Sequence, residues 1–114
     1  SIVTRGAIGA MLQEQEGRVV VVSFMENSAA EAAGLKIGDI IAEVDGQAIR
    51  SLGMATALGV AMHALRGDPG TTVALRVNRD SQVLSFNLTR RLLSTPVFDN
   101  GAASRAELNS RPRR

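Results

Sequence analysis

Twenty residues near the front of the chain, "NSAAEAAGLKIGDIIAEVDG" from Asn27 to Gly46, constrain the fold more than any other stretch. Ser28 stands three residues before Glu31, the spacing at which a hydroxyl takes up a free N–H at a helix start while the glutamate reaches back. Gly34 can end that helix, because glycine enters the left-handed region without a Cβ penalty. A helix of barely two turns is therefore expected. After it, Ile40, Ala42 and Val44 alternate with Ile41, Glu43 and Asp45, the period of a strand, and Asp45-Gly46 supplies a tight turn.

The rest of the body is punctuated as clearly. "GRVVVVSFM", Gly17 to Met25, is β-branched and continuous, as expected of a strand with apolar contacts on both faces. In "GMATALGVAMHALRG", Leu58, Met62 and Leu65 lie four and three apart, and Gly67 is placed to stop the helix of about three turns that this spacing predicts. Val73, Leu75 and Val77 alternate with Ala74, Arg76 and Asn78, and Leu84, Phe86 and Leu88 repeat the pattern after a join near Asp80-Ser81. The order strand, strand, short helix, strand, long helix, strand, strand makes an α+β, mainly β class the economical one: a small antiparallel sheet closed by two helices.

Composition bounds the function. The 114 residues suffice for one domain with a single core. No window approaches the roughly 18 apolar residues of a membrane span, and no signal-peptide pattern opens the chain, so direct membrane insertion is not expected. With no cysteine and one histidine, neither a disulfide framework nor a metal site or other cofactor is expected. Net charge is only +2, and Arg111, Arg113 and Arg114 place part of the basic excess in an unpatterned tail, so nucleic acid is not an expected partner. The reading divides the chain into an N-terminal extension (1–5), a domain (6–93) and a C-terminal linker or tail (94–114), disordered from about residue 99.

"SAAEAAGLKIGDIIAEVDGQAI" resembles the hallmark segment of bacterial PDZ domains. "LRGDPGTTVALRVNRD" followed by "FNLTRRLLSTPVF" resembles, more narrowly, the PDZ domain of the carboxyl-terminal processing (tail-specific) serine proteases. The resemblance spans about Gly6 to Val97. It implies a PDZ-like partial barrel in the circularly permuted bacterial strand order, with the strand at Leu84–Leu88 in the same sheet system as the first strand and Phe86 helping to close the core. It also implies an extracytoplasmic setting.

The resemblance further implies a site. "AIGA" matches the loop whose amides, here Ile8, Gly9 and Ala10, cradle a peptide's terminal carboxylate; where this sequence has Ala7 the family more often has glycine, and Gly6 is the candidate to compensate. The peptide would pair with Ala10, Met11 and Leu12 as an added strand. Leu58, Ala61 and Met62 of the long helix would line the pocket for its last side chain, and Leu65 belongs to the core. His63 lies too late on the helix for the selecting histidine of some PDZ domains. Arg90-Arg91 reads as a solvated strand end, and Met11, Met25 and Met54 as packing residues.

Catalysis in the resembled proteases needs a serine and a lysine from a following protease domain, whereas the only lysine here, Lys36, belongs to the "AGLK" turn. The expected role is that of a non-catalytic module binding C-terminal peptides or unfolded protein ends, with a protease domain as its covalent neighbour. The alternative is a PDZ scaffold in an envelope or signalling protein without a protease.

Overall fold

A computed structural model describes the backbone over residues 2–96 and side chains from 7 to 92. The elements run β1 (Ile2–Ala7), β2 (Ala10–Gln15), β3 (Arg18–Phe24), α1 (Ala29–Ala33), β4 (Ile40–Val44), β5 (Gln47–Ala48), α2 (Ala57–Leu65), β6 (Thr72–Arg79), β7 (Gln82–Thr89) and β8 (Arg91–Pro96). The main sheet is antiparallel in the order β2-β3-β4-β6-β7, with β5 paired to β4. β2 is therefore an edge strand, and the strand at Leu84–Leu88 joins the same sheet at the opposite edge.

The Ser28–Gly46 segment folds as its sequence dictates. Ser28 Oγ accepts the Glu31 N–H at 3.0 Å, and Gly34 closes α1 at φ 112°. β4 departs from simple alternation: Ile41 and Val44 are the buried pair, while Ile40 and Ala42 are half-buried. The cause is a bulge. Opposite β6 the register shifts between Ile41 and Glu43, and the extra residue resets which side chains face inward. In β6 the expected Val73, Leu75 and Val77 are all buried, and they meet Val19, Val21, Ala61 and Leu65 in one core. Phe86 packs against this core from β7 beside Gly34 of the short helix.

The chain ends require a correction. Residues 1–5 were expected as an extension and 94–114 as a linker, yet Ile2 pairs with Pro96, and the register continues to Ala7 opposite Arg91. Strand-favouring residues on both sides, Ile2, Val3 and Thr4 against Leu92, Leu93 and Thr95, satisfy each other's backbone groups in a two-stranded ribbon. The disorder expected from about residue 99 lies outside the described residues.

A second correction concerns Gly67 and Arg90. The long helix ends at Leu65 with Arg66 extended, and Gly67 is not needed for a left-handed stop. Arg90, expected in solvent, is buried. Its Nε and Nη2 donate to the carbonyls of Leu65 and Ala64 at 2.8 and 3.2 Å, and Nη1 donates to Thr71 Oγ1 and the Thr72 carbonyl. A cation thus occupies the negative end of the helix. A Cβ on residue 67 would lie 2.7 Å from the Arg90 guanidinium carbon, which explains the glycine.

Candidate functional site

Ile8 and Gly9 link β1 to β2. Gly9 has φ +79°, a region that side-chain-bearing residues rarely adopt, and a Cβ there would stand 3.1 Å from both Cα and Oγ of Ser28. The loop is pinned from behind. The Ile8 carbonyl accepts the Ala30 N–H at 3.0 Å and the Ser28 hydroxyl at 3.2 Å, and the Gly9 carbonyl accepts the Met25 N–H at 2.8 Å. Ser28 thus caps α1 with its oxygen and holds the loop with its proton. With these carbonyls committed, no hydrogen bond among the described residues takes up the N–H groups of Ile8 and Gly9. Gly6 lies within β1 opposite Leu92, and Ala7 ends that strand opposite Arg91.

In front of the loop an apolar recess of roughly 220 Å³ opens between β2 and α2, lined by Ile8, Ala10 and Leu12 on one side and Met62, Leu65 and Arg66 on the other. Helical spacing explains the α2 wall: Met62 and Leu65 are three apart and stack on one face. Of the residues expected to line the pocket, Met62 borders the recess and is 40 % exposed. Ala61 does not. One position earlier on the helix it turns into the core and is fully buried, while Leu58 is half-buried, packs against the core and does not border the recess. Met11 is exposed, alternating with the recess-lining Ala10 and Leu12; the Gly9–Met25 bond and the Met11–Ser23 pairing turn its backbone toward β3, so the outer edge of β2 is offered by Ala10 and Leu12.

Sequence reasoning missed Leu65, Met25 and Arg66 as recess residues. Spacing alone offered no signal to sort the α2 residues, since Ala61 stands four residues before Leu65 and three after Leu58 and so shares their side of the helix. His63 is exposed and does not border the recess. Among the described residues no cluster of histidine, aspartate or glutamate could hold a metal ion, and no helix is long and apolar enough to cross a membrane.

The turn after α1 is held by charge as well as by the buried Leu35. Asp39 is 1 % exposed, and Arg79 donates to it in bidentate fashion through Nε and Nη2, both at 2.7 Å. The Lys36 N–H adds a bond at 2.9 Å. Burial alone would raise the Asp39 carboxyl, but the Arg79 and Lys36 contacts outweigh it and hold its pKa below the usual carboxylate range.

The sequence pattern of the PDZ domain matches residues 6–89, nearly the whole described body. The chain belongs to the PDZ domain family. Among full-length relatives, the carboxy-terminal processing protease CtpA of Bacillus subtilis is 36% identical over 72 residues, covering 63% of this chain and 15% of that protein. A probable CtpA-like serine protease of Staphylococcus haemolyticus is 32% identical over 83 residues, covering 73% of this chain and 16% of the relative. This PDZ chain therefore spans about one sixth of the proteases it matches. The peptide-bound PDZ domain of a carboxy-terminal protease from Vibrio cholerae superposes with a TM-score of 0.64 at 23% identity, covering 80% of this chain and 98% of that one, a likeness of fold. The photosystem II D1 C-terminal processing protease gives 0.65 at 28% identity, covering 77% of this chain and 23% of that one.

Proposed function

We propose that this PDZ domain captures apolar C-terminal ends of peptides or unfolded proteins. The observation that carries the reading is the recess itself. It begins at a loop whose carbonyls are committed to Ser28, Ala30 and Met25 and continues along the outer edge of β2, which no strand among the described residues pairs. The N–H groups of Ile8, Gly9 and Ala10 receive the terminal carboxylate, the last side chain enters between Leu12 and Met62, and the peptide backbone extends the sheet along β2. Methionine at two points of the lining, Met25 and Met62, suits side chains of varied shape.

In the longer protein this module serves as the substrate-recognition and regulatory domain of a carboxyl-terminal processing serine protease, in an extracytoplasmic setting. The matched relatives support this. The chain itself supplies binding rather than hydrolysis, since its only lysine stands in the turn that Asp39 organises. A titration of the domain, labelled with ¹⁵N and with ¹³C at the methionine methyls, with an apolar-ended peptide tests the binding mode. The Ile8, Gly9 and Ala10 amides and the Met62 methyl should shift together; shifts confined to the β6–β7 side of the sheet would contradict it. A serine–lysine pair encoded downstream in the full reading frame separates the protease module from a PDZ scaffold.

A further inference from the structure

β2 carries its side chains alternately to two faces, and Leu12 lines the recess; two residues on, Glu14 stands on the same face at the point where the recess has ended. Its carboxylate spans the gap to the helix, accepting the Leu58 N–H at 3.0 Å, while Thr56 Oγ1 accepts the Gly59 N–H beside it. Among the described residues no cation pairs with Glu14. Arg18, on the neighbouring strand, lines a recess on the outer face of the sheet with Ile40 and Ala42, whereas Glu14 is opposite the inward-facing Val19. Gln13 and Gln15 point to the other face and bond to each other. At the opposite end of the groove, beside Gly9 and Ala10, stands Arg66. The groove thus has a positive end at the loop and a negative end at the start of α2.

We propose that Glu14 makes the groove selective for apolar-ended peptides that carry a lysine or arginine at the fifth residue from the end. The inference rests on the strand-addition reading above. With the carboxylate at the loop, a peptide antiparallel to β2 sets its last residue beside Ala10, its third from the end beside Leu12 and its fifth beside Glu14, and residues directly opposite share a face. A basic side chain at the fifth position meets the Glu14 carboxylate, and the terminal carboxylate lies at the Arg66 end. Peptide and groove then match in charge in only one direction.

An exposed cross-strand charge pair of this kind changes affinity roughly two- to fivefold. The test uses three peptides sharing one apolar terminus, with Lys, Ala or Glu at the fifth residue from the end, measured by fluorescence anisotropy at low salt. The lysine peptide should bind about two- to fivefold more tightly than the alanine peptide, and the glutamate peptide more weakly. Moving the lysine to the fourth residue, on the other face, should remove the gain. Glu14→Gln keeps an acceptor for the Leu58 N–H and should collapse the spread, whereas Glu14→Lys should invert the order. Equal affinities on the wild type, or an unchanged lysine preference in Glu14→Gln, would overturn the proposal while leaving peptide capture standing. Failure of the alanine peptide to bind at all would overturn peptide capture and this proposal with it.

Discussion

At the scale of single residues, three positions carry the account, and each is explained by what stands next to it. Gly9 combines a positive φ with a backbone neighbour, Ser28, that cannot move without shifting the start of α1. Gly9→Val should therefore cost about 1–3 kcal/mol of stability in urea unfolding and remove peptide binding, because the loop can no longer present its amides. Gly67 is required by Arg90: Gly67→Ala pushes the guanidinium off the α2 carbonyls, and the loss of charge-assisted bonds in a buried setting should destabilise the domain by about 1–3 kcal/mol. Asp39 supplies a pH dependence. Its folded pKa is lowered, so the stability it contributes is fully present above the ordinary carboxylate range and is lost as pH falls through that range toward the folded value. Urea midpoints measured from pH 7 down to pH 3 should fall more steeply for the wild type than for Asp39→Asn, and parallel curves would contradict the assignment.

At the scale of elements, the turns were the most legible features and the ends of the chain the least. Asp45-Gly46 and Asp80-Ser81 both reverse the chain through two consecutive positive-φ residues, the geometry of tight hairpins whose twist matches that of their strands. Ser81, at φ 67°, fills a position that glycine adopts freely. Ser81→Gly should accordingly leave stability unchanged or raise it by up to about 1 kcal/mol, measured by thermal unfolding, whereas a loss beyond that would show that the Ser81 side chain holds the turn. The β1–β8 ribbon was not legible, because neither segment has a partner nearby in sequence. Pairing of Ile2 with Pro96 is a property of the whole chain that no local pattern announces. The bulge in β4 was hidden for a related reason. Alternation was present in the sequence, but the residue count opposite β6 decides which half of it faces the core. On α2 the helical spacing was legible, but Leu58, Ala61 and Met62 were expected in the groove through the family resemblance rather than through that spacing. Only the rotation of the helix against β2 and β3 sends Ala61 inward and Leu65 to the boundary between core and recess.

At the scale of the whole molecule, the sheet sets aside one edge strand, the long helix stands opposite it, and the loop between β1 and β2 closes one end of the space between them. The family was legible from two sequence blocks, Ser28–Ile49 and Leu65–Phe98, that hold turns, caps and strands and, of the groove, only Leu65 and Arg66. The loop was located through them, since a lone glycine between small residues has no specificity of its own. The same ribbon that places β1 ahead of the loop brings residues 2 and 96 side by side. The central claim is that the loop recognises a free carboxylate and that the recess accepts an apolar terminus. Hydrogen bonds to a charged group contribute on the order of 1.5–3 kcal/mol, so blocking that charge should be plainly visible in affinity. The direct measurement is the titration of one apolar-ended peptide and its C-terminal carboxamide against the isolated domain by fluorescence anisotropy. The account predicts that the carboxamide binds roughly tenfold or more weakly; equal affinities for the two would contradict it.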